Sequence, residues 1–274
     1  MKSLTPPSRD SRRLRRYRAL LAGLLLATGG GAQAALSYEE GLARDPRTNL
    51  PLYREQHLVR RDGGTPVGRL VIYRCLDGTA FARKLVDYRR SSQAPDFALE
   101  DARLGYAEGL RRAGSAISLF VRERATEPKR TAALAASPVT LVADAGFDEF
   151  VRDQWLRLQA GTSVPLSFAV PSRLESLGFK VYRVGSLELG GEPAELFRLR
   201  LGGLLGWIAP HIDVAYGRDS RRLLRFEGLS NLREDDGDSQ LVARIEFPTP
   251  ATATNEAQWR DFAREPLSAC RVRG

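Results

Sequence analysis

The sequence predicts a mainly β protein, in which a large curved antiparallel sheet or incomplete barrel of about 11–13 strands packs around one helix. Apolar and polar residues alternate in many short segments after residue 50. Gly, Pro, Asp and Asn residues separate these segments at short intervals, as in strands joined by hairpins. Two further segments have their apolar residues at helical spacing instead. With 274 residues, 43% of them hydrophobic, the chain can bury a sizeable core.

The alternation predicts thirteen strand segments, and their spacing is typical of antiparallel architecture. We expect a β-rich domain over residues 51–248, with an extended segment over 35–50 before it. Residues 249–274 are expected to form a linker, a short helix and a tail that returns to the domain. The predicted strands cover residues 52–60, 67–75, 79–88, 97–101, 116–124, 139–143, 166–170, 179–184, 186–189, 195–201, 212–216, 222–227 and 240–247.

A packed helix is predicted over residues 144–160. Asp144 can cap its start and Gly161 can end it. Its apolar residues share one face, which must be buried against another element, most simply the sheet. That stripe consists of Phe147, Phe150, Val151, Trp155 and Leu158.

A shorter helix is predicted over residues 255–265. Asn255 and Gln258 have the spacing of a capping box, and Pro266 ends the segment. The helix has one apolar face, formed by Trp259, Phe262 and Ala263. We expect this helix to bring Cys270 back towards the sheet. Cys75 and Cys270 are the two cysteines of the chain. In an oxidising compartment we expect them to form a disulfide, the alternative being two free thiols in a core.

Residues 1–34 have the three parts of a secretory signal. A basic region extends to Arg18, an apolar run of about ten residues follows, and Ala32-Gln33-Ala34 fits the small-x-small cleavage rule. The apolar run is too short to span a bilayer as a helix. We therefore expect cleavage after Ala34, no stable membrane span in the mature protein, and a periplasmic location. The general export route is favoured over the twin-arginine route.

The positive charge of the chain lies mostly in this leader. Its seven basic residues and one acid contribute +6 of the total net charge of +9, which leaves +3 on the other 240 residues. A nucleic-acid partner is therefore not expected.

The stretch 206–232 contains His211, one of only two histidines. Strand alternation places His211 and Asp213 on one face, opposite an apolar face. This pair could orient a general base, but a solvated charge network with Arg225, Glu227 and Arg244 is the favoured interpretation. The apolar face is expected to consist of Ile212, Val214, Tyr216, Leu224 and Phe226.

Other catalytic patterns are weak. His57 is flanked by charges on what resembles an edge strand, and Ser-based hydrolysis would need a nucleophile beside one of the histidines. Two His and two Cys at scattered positions offer no zinc motif, and residues 234–238 fit a charged hairpin turn better than a calcium loop. Asp96, Glu100 and Asp101 could supply carboxylates for glycoside hydrolysis. We expect no cofactor, no metal and no catalytic residue.

Aromatic side chains lie on or beside the strands that follow the first helix. They would form either a dry core or a pocket for an apolar ligand. The candidate ligand-binding residues are Trp155, Phe168, Tyr182, Phe197, Trp207, Tyr216 and Phe226.

The segments "VPLSFAVPSRLESLGFKVYRV", "ELFRLRLGGLLGWIAPHIDVAYGRDSRRLLRFEGLSNL" and "FDEFVRDQWLRL" together resemble uncharacterised exported β-rich proteins of Gram-negative bacteria. Over roughly residues 140–247 their layout is similar to the lipoprotein-carrier (LolA-like) fold. That resemblance implies an incomplete antiparallel barrel around a helix, with an apolar cavity for acyl chains. No functional residue is transferred from it.

Together these observations predict a periplasmic, non-enzymatic protein that binds or chaperones a lipid, an acyl chain or another apolar small molecule. Two alternatives remain. One is an envelope hydrolase that uses His211 and Asp213 or the acidic residues near Asp96. The other is an assembly factor that pairs with a partner through a sheet edge.

Overall fold

The computed structural model describes residues 35–203 and 211–273. The predicted signal peptide and its cleavage site lie outside these residues. The described strands are β1 (Ala35–Arg44), β2 (Pro51–Asp62), β3 (Thr65–Arg74), β4 (Ala80–Asp87), β5 (Asp96–Asp101), β6 (Tyr106–Ala113), β7 (Ala116–Arg122), β8 (Arg130–Ala133), β9 (Leu141–Val142), β10 (Val164–Val170), β11 (Glu175–Leu189), β12 (Glu192–Leu201), β13 (Ile212–Gly217), β14 (Leu223–Arg233), β15 (Gln240–Glu246) and β16 (Thr252–Ala253). The α-helices are α1 (Gly146–Asp153), α2 (Trp155–Gln159) and α3 (Glu256–Arg264).

All described strands belong to one open, curved sheet, which confirms the predicted fold class. Its order runs from β8 down to β1, continues through β15, and then descends to β9, with β16 also paired to β1. The neighbours are antiparallel except for β9 and β10. The first meander, β1–β8, and the second meander, β10–β15, are thus joined where β1 pairs with β15, at Leu42–Arg44 opposite Arg244–Glu246.

The structure has sixteen described strands, so the predicted number of about 11–13 was too low. Strands β1, β6, β8 and β16 were not recognised, and β1 occupies most of the segment expected only to be extended. The predicted strands 179–184 and 186–189 are one continuous strand, β11. An irregularity between Arg183 and Gly185 shifts its register against β12 and interrupts the alternation in the sequence.

The predicted helix 144–160 is two short helices that meet at Gln154. Asp144 does not cap it: α1 begins at Gly146 without a side-chain cap, and Asp144 has a φ of 46°. The predicted apolar stripe is buried as expected, from Phe147 to Leu158. It packs on the inner face of β10–β13, against residues such as Phe197 and Val214.

The sheet curls so that its two ends approach one another. Phe97, Leu110 and Leu119 of β5–β7 form one buried cluster with Ala143 and Ala169, which lie next to β9 and in β10. The inner face of the curved sheet carries α1 and α2. No described helix has both the length and the apolar composition needed to cross a bilayer.

Helix α3 packs on the opposite, outer face of β2 and β3. Its N-cap is Asn255, as predicted, and the Asn255 side chain accepts hydrogen bonds from the backbone N–H groups of Ala257 and Gln258. Trp259 and Phe262 lie on a buried cluster that includes Leu58, Leu70 and Ile72. The outer face of β2 and β3 is therefore covered by α3.

The predicted disulfide joins Cys75 to Cys270 and ties the tail after α3 to the end of β3. The two cysteines are 195 residues apart, so the bond closes most of the described chain into a loop.

Replacing Cys75 and Cys270 together with Ala should lower the free energy of unfolding by up to about 5 kcal/mol, because the unfolded chain regains the entropy of that loop. Urea unfolding followed by circular dichroism measures this loss. The reduced wild-type protein is the control and should unfold at nearly the same urea concentration as the double variant. Equal stability of the oxidised wild type and the double variant would contradict the prediction.

Candidate functional site

The inner face of the sheet lines a cavity of about 390 Å³ that is partly open to solvent. This volume is within the range of about 300–1,000 Å³ that small-molecule sites occupy. Strands of both meanders and the start of α1 contribute to its wall. The two meanders contribute different chemistry.

The apolar side of the cavity comes mainly from the second meander. Strand alternation aims every second residue of β10–β15 inwards. These residues leave space between them and the opposite wall instead of filling the interior completely. They are Phe168, Leu177, Phe179, Leu199, Leu201, Ile212, Val214, Leu223, Phe226, Leu229 and Ile245.

The polar side comes from the first meander and from the segment that leads into α1. Ionisable side chains on buried positions are rare because ionisation in a low-dielectric interior is costly unless the charge is paired. The contact with α3 occupies the outer face of β2 and β3, and ionisable side chains line the cavity on the inner side. These side chains are Glu55, His57, Arg69, Lys84, Glu108, Asp144 and Asp148.

Asp148, in the first turn of α1, connects the two meanders. Both terminal nitrogens of Arg69 in β3 lie 3.2 Å from Asp148 Oδ2, and the Tyr216 hydroxyl of β13 donates to Oδ1 at 2.8 Å. Burial by itself would raise the pKa of Asp148. This effect is outweighed by the positive charges of Arg69 and Arg152 and by the hydrogen bonds from Tyr216 and Arg69, which lower the pKa. Asp148 is therefore a carboxylate at neutral pH.

Asp144 makes a second connection of the same kind. Its Oδ2 is 3.0 Å from Lys84 Nζ of β4, and the Asn231 side-chain amide of β14 donates to the same oxygen at 2.5 Å. The side chains of Lys84 and Asp144 are both at least nine-tenths buried. Asp144, just before α1, and Asp148, within α1, therefore each bind one residue of the first meander and one residue of the second.

His57 lies in an interior strand, so its predicted position on an edge strand was wrong: β2 pairs with β1 on one side and β3 on the other. The ring is buried, and its Nε2 is 2.8 Å from Glu55 Oε2. Glu55 also accepts a hydrogen bond from the Tyr53 hydroxyl at 3.2 Å. Glu55 and His57 were not among the predicted site residues, although their i, i+2 spacing on a strand places them on one face.

Glu108 of β6 lines the cavity without an ion pair to any described residue. The Tyr106 hydroxyl donates to Glu108 Oε2 at 2.6 Å. Burial raises the pKa of Glu108 to about 7, although the hydrogen bond from Tyr106 opposes the increase. A carboxyl group with this pKa is partly protonated near neutral pH and can then donate a hydrogen bond.

The structure places six of the seven candidate ligand-binding residues, in three groups, and their role in binding stays a prediction. Phe168 and Phe226 line the cavity. Trp155, Phe197 and Tyr216 are fully packed in the cluster beside it. Tyr182 lies on the outer face, opposite Arg198 in β12, and Trp207 lies outside the described residues.

The predicted apolar face of stretch 206–232 needs one correction. Ile212, Val214 and Tyr216 face inwards as expected, and Phe226 lies opposite Val214. A register irregularity between Ala215 and Tyr216 then places Leu223, and not Leu224, opposite Tyr216. Leu223 therefore lines the cavity.

His211 and Asp213 lie on the outer face, away from the cavity. Arg198 holds Asp213 with two short contacts of 2.7 and 2.8 Å, whereas His211 Nε2 is 3.7 Å away and its side chain is 45% exposed. The described partner of Asp213 is therefore Arg198, which the sequence analysis did not name, and Arg244 of the predicted network pairs with Glu246 instead. The acidic residues proposed for glycoside hydrolysis are also in ion pairs: Asp96 with Arg112, Glu100 with Arg83 and Asp101 with Arg103.

No protein-family model matches this chain, and no curated protein matches it. Among solved structures, a β-barrel-like protein of the domain of unknown function DUF1849 from Brucella abortus is similar, with 7% identity and a TM-score of 0.49, over 81% of this chain and 99% of that one. A domain assigned as an outer membrane lipoprotein-sorting protein from Vibrio parahaemolyticus matches with 9% identity and a TM-score of 0.24, over 85% of this chain and 90% of that one. Both TM-scores are below 0.5, so these similarities carry no argument about the function of this chain, and the resemblance to the lipoprotein-carrier layout stays a prediction.

Replacing Asp148 with Ala should lower the free energy of unfolding by about 3–5 kcal/mol, because Arg69 then stays buried without its counter-charge. Tyr216→Phe removes only one hydrogen bond to the same carboxylate and should cost about 1 kcal/mol. Urea unfolding measures both. If the two variants lost the same stability, the ion pair would not be the dominant interaction of Asp148.

Glu108 should make stability depend on pH. Between pH 4.5 and about 7 the unfolded chain loses the Glu108 proton while the folded protein retains it, so the folded state binds more protons and its stability falls as the pH rises. At pH 8 ionised Glu108 costs about 3 kcal/mol relative to the unfolded chain.

Glu108→Gln removes this titration and keeps an oxygen that accepts from Tyr106. Urea unfolding from pH 4 to pH 8 should show the variant gaining stability relative to the wild type as the pH increases. A constant difference between the two proteins across this range would contradict the raised pKa.

Proposed function

We propose that this protein binds a hydrophobic molecule, such as a lipid or an acyl chain, inside the curved sheet. The observation that carries the proposal is the cavity of about 390 Å³, one wall of which is apolar. On that wall, aliphatic and aromatic side chains of β10–β15 face open space. A sheet that served only as a core would bring these side chains into contact with the opposite wall, since protein interiors are close-packed.

The energetics favour an apolar ligand in this cavity. Each methylene group that leaves water contributes about 0.8 kcal/mol, so a chain of ten methylenes would gain about 8 kcal/mol before the cost of association. The buried ions opposite the apolar wall already have protein partners: Asp148 has Arg69 and Asp144 has Lys84. An apolar ligand therefore leaves those hydrogen bonds in place.

We propose that the protein acts in the periplasm as a non-enzymatic carrier or chaperone. The predicted signal peptide and the Cys75–Cys270 disulfide support this location, because disulfides persist in oxidising compartments. The alternative of a hydrolase using His211 is not supported by the geometry, since His211 lies on the outer face and Asp213 is held by Arg198.

Replacing Leu177 with Trp should weaken binding of a neutral apolar probe about tenfold, a change of about 1.4 kcal/mol, because the larger ring occupies cavity volume. Leu177 is half-buried and lines the cavity. The probe is N-phenyl-1-naphthylamine, titrated into the protein and followed by its fluorescence.

Leu85→Trp is the matched control, because Leu85 is 45% exposed on the outer face of β4. This variant should bind the probe as the wild type does. A wild-type protein that does not bind the probe, or two Trp variants with equal affinity, would overturn the proposed function.

A further inference from the structure

A second cavity of about 380 Å³ adjoins the first. Its wall consists mainly of residues from β1, β2 and β3, from helix α1 and from the turn between β13 and β14. Five residues line both cavities, so the two spaces meet at one layer of side chains: His57, Arg69, Asp148, Leu223 and Phe247. This second space is called the basic cavity here because of its charges.

Arginine is the commonest charged residue around the basic cavity. Its wall holds five arginines and three carboxylates: Arg61, Arg69, Arg152, Arg221 and Arg222, with Glu39, Asp148 and Glu149. The net charge of this wall is therefore positive. The first cavity differs in having an extended hydrocarbon side.

Three of the five arginines are already neutralised by carboxylates. Arg69 pairs with Asp148, and Arg152 pairs with Glu149 at 2.5 Å. Arg222 pairs with Glu192, which lies outside the wall, at 3.0 Å. The charge of these three arginines is therefore largely satisfied within the protein.

Arg61 and Arg221 form no ion pair with any described carboxylate. Arg61, at the end of β2, is half-buried and donates one hydrogen bond, to the Ser37 hydroxyl at 3.3 Å. The guanidinium of Arg221 lies 5.5 Å from the centre of the Trp155 ring. Glu39 likewise forms no ion pair with any described residue, so the unpaired charges of the wall, Arg61, Arg221 and Glu39, still sum to a positive value.

The position of Arg221 is maintained at a conformational cost. Its φ of 50° is in the left-handed region that favours glycine, and such strain concentrates at functional positions. Its carbonyl accepts a hydrogen bond from Arg152 Nε at 3.1 Å, which ties the turn to α1.

Like charges already act on Arg61. Burial lowers the pKa of Arg61, and the positive charges of Arg69 and Arg152 lower it further, while the negative charges of Glu149 and Glu39 oppose this decrease only in part. Guanidinium groups nevertheless stay protonated at neutral pH. An anion placed among these arginines would relieve their mutual repulsion.

We propose that the basic cavity binds the anionic oxygen headgroup of an amphiphile, phosphate being the model group, while the hydrocarbon chain occupies the adjoining apolar cavity. Arg61 and Arg221 supply the charge that selects the headgroup. This inference rests on the proposed function, because it assigns polarity and orientation to the same ligand. It predicts that a chain with a neutral end binds more weakly than the same chain with an anionic end.

The experiment compares three competitors for displacement of N-phenyl-1-naphthylamine: dodecyl phosphate, dodecanol and inorganic phosphate, each below its aggregation limit and at low salt. Wild-type protein should bind dodecyl phosphate about tenfold or more tightly than dodecanol, since charge-assisted hydrogen bonds add to the burial of the chain. Inorganic phosphate should not displace the probe. Isothermal titration calorimetry tests whether it binds on its own.

Arg61→Gln/Arg221→Gln should remove the preference for dodecyl phosphate and leave dodecanol binding unchanged. Glu39→Gln, which removes the unpaired carboxylate from the same wall, should increase the preference. Arg130→Gln, on the exposed edge strand β8, is the matched control and should change neither affinity. The retained affinity for dodecanol shows that each variant is folded.

The outcomes separate the two proposals. Equal wild-type affinities for dodecyl phosphate and dodecanol would overturn the headgroup assignment and leave the apolar site intact. A preference that persists in the double arginine variant would overturn it as well. Inorganic phosphate that binds as tightly as dodecyl phosphate would mean a site for free anions. Failure of every apolar competitor to bind would overturn the proposed function itself.

Discussion

The burial of two carboxylates beside and within α1 is the constraint on which the arrangement of this protein depends. Asp148 binds Arg69 of β3 and Tyr216 of β13, and Asp144 binds Lys84 of β4 and Asn231 of β14. A buried carboxylate without partners is costly, so both meanders must present their donors at set positions around it. These bonds hold together two walls that, among the described strands, are joined by backbone pairing where β1 lies beside β15.

The same constraint explains how a cavity can persist between walls of opposite character. Apart from Glu108, the ionisable residues that the first meander turns towards this cavity are already paired, whereas the second meander faces inwards mainly with hydrocarbon. Paired ions cannot collapse onto the apolar wall without losing their partners. A hydrophobic ligand can therefore fill the space without competing for those hydrogen bonds. Unpaired arginines at one end would fix the orientation of the ligand in the cavity.

Sequence reasoning succeeded where one local pattern determines one outcome. Period-2 alternation located most of the strands, helical spacing identified the buried stripe from Phe147 to Leu158, and Asn255 was recognised as a cap. It failed where the pattern was interrupted or inverted. The register shift in β14 exchanged Leu223 for Leu224. In β2 the apolar Leu58 faces α3 while Glu55 and His57 face the cavity, so the alternation of this strand does not by itself tell which side is inside.

The sequence by itself determined the fold class, the two amphipathic helical segments and the partners of the disulfide, because these follow from periodicity and from having only two cysteines. Only the tertiary structure decided which face of each strand is inside, which residues line a cavity and which fill a core. Trp155 and Phe168 have similar apolar character, yet one is fully packed and the other borders open space. That difference depends on the distance between walls that are remote in sequence, and no local pattern encodes that distance.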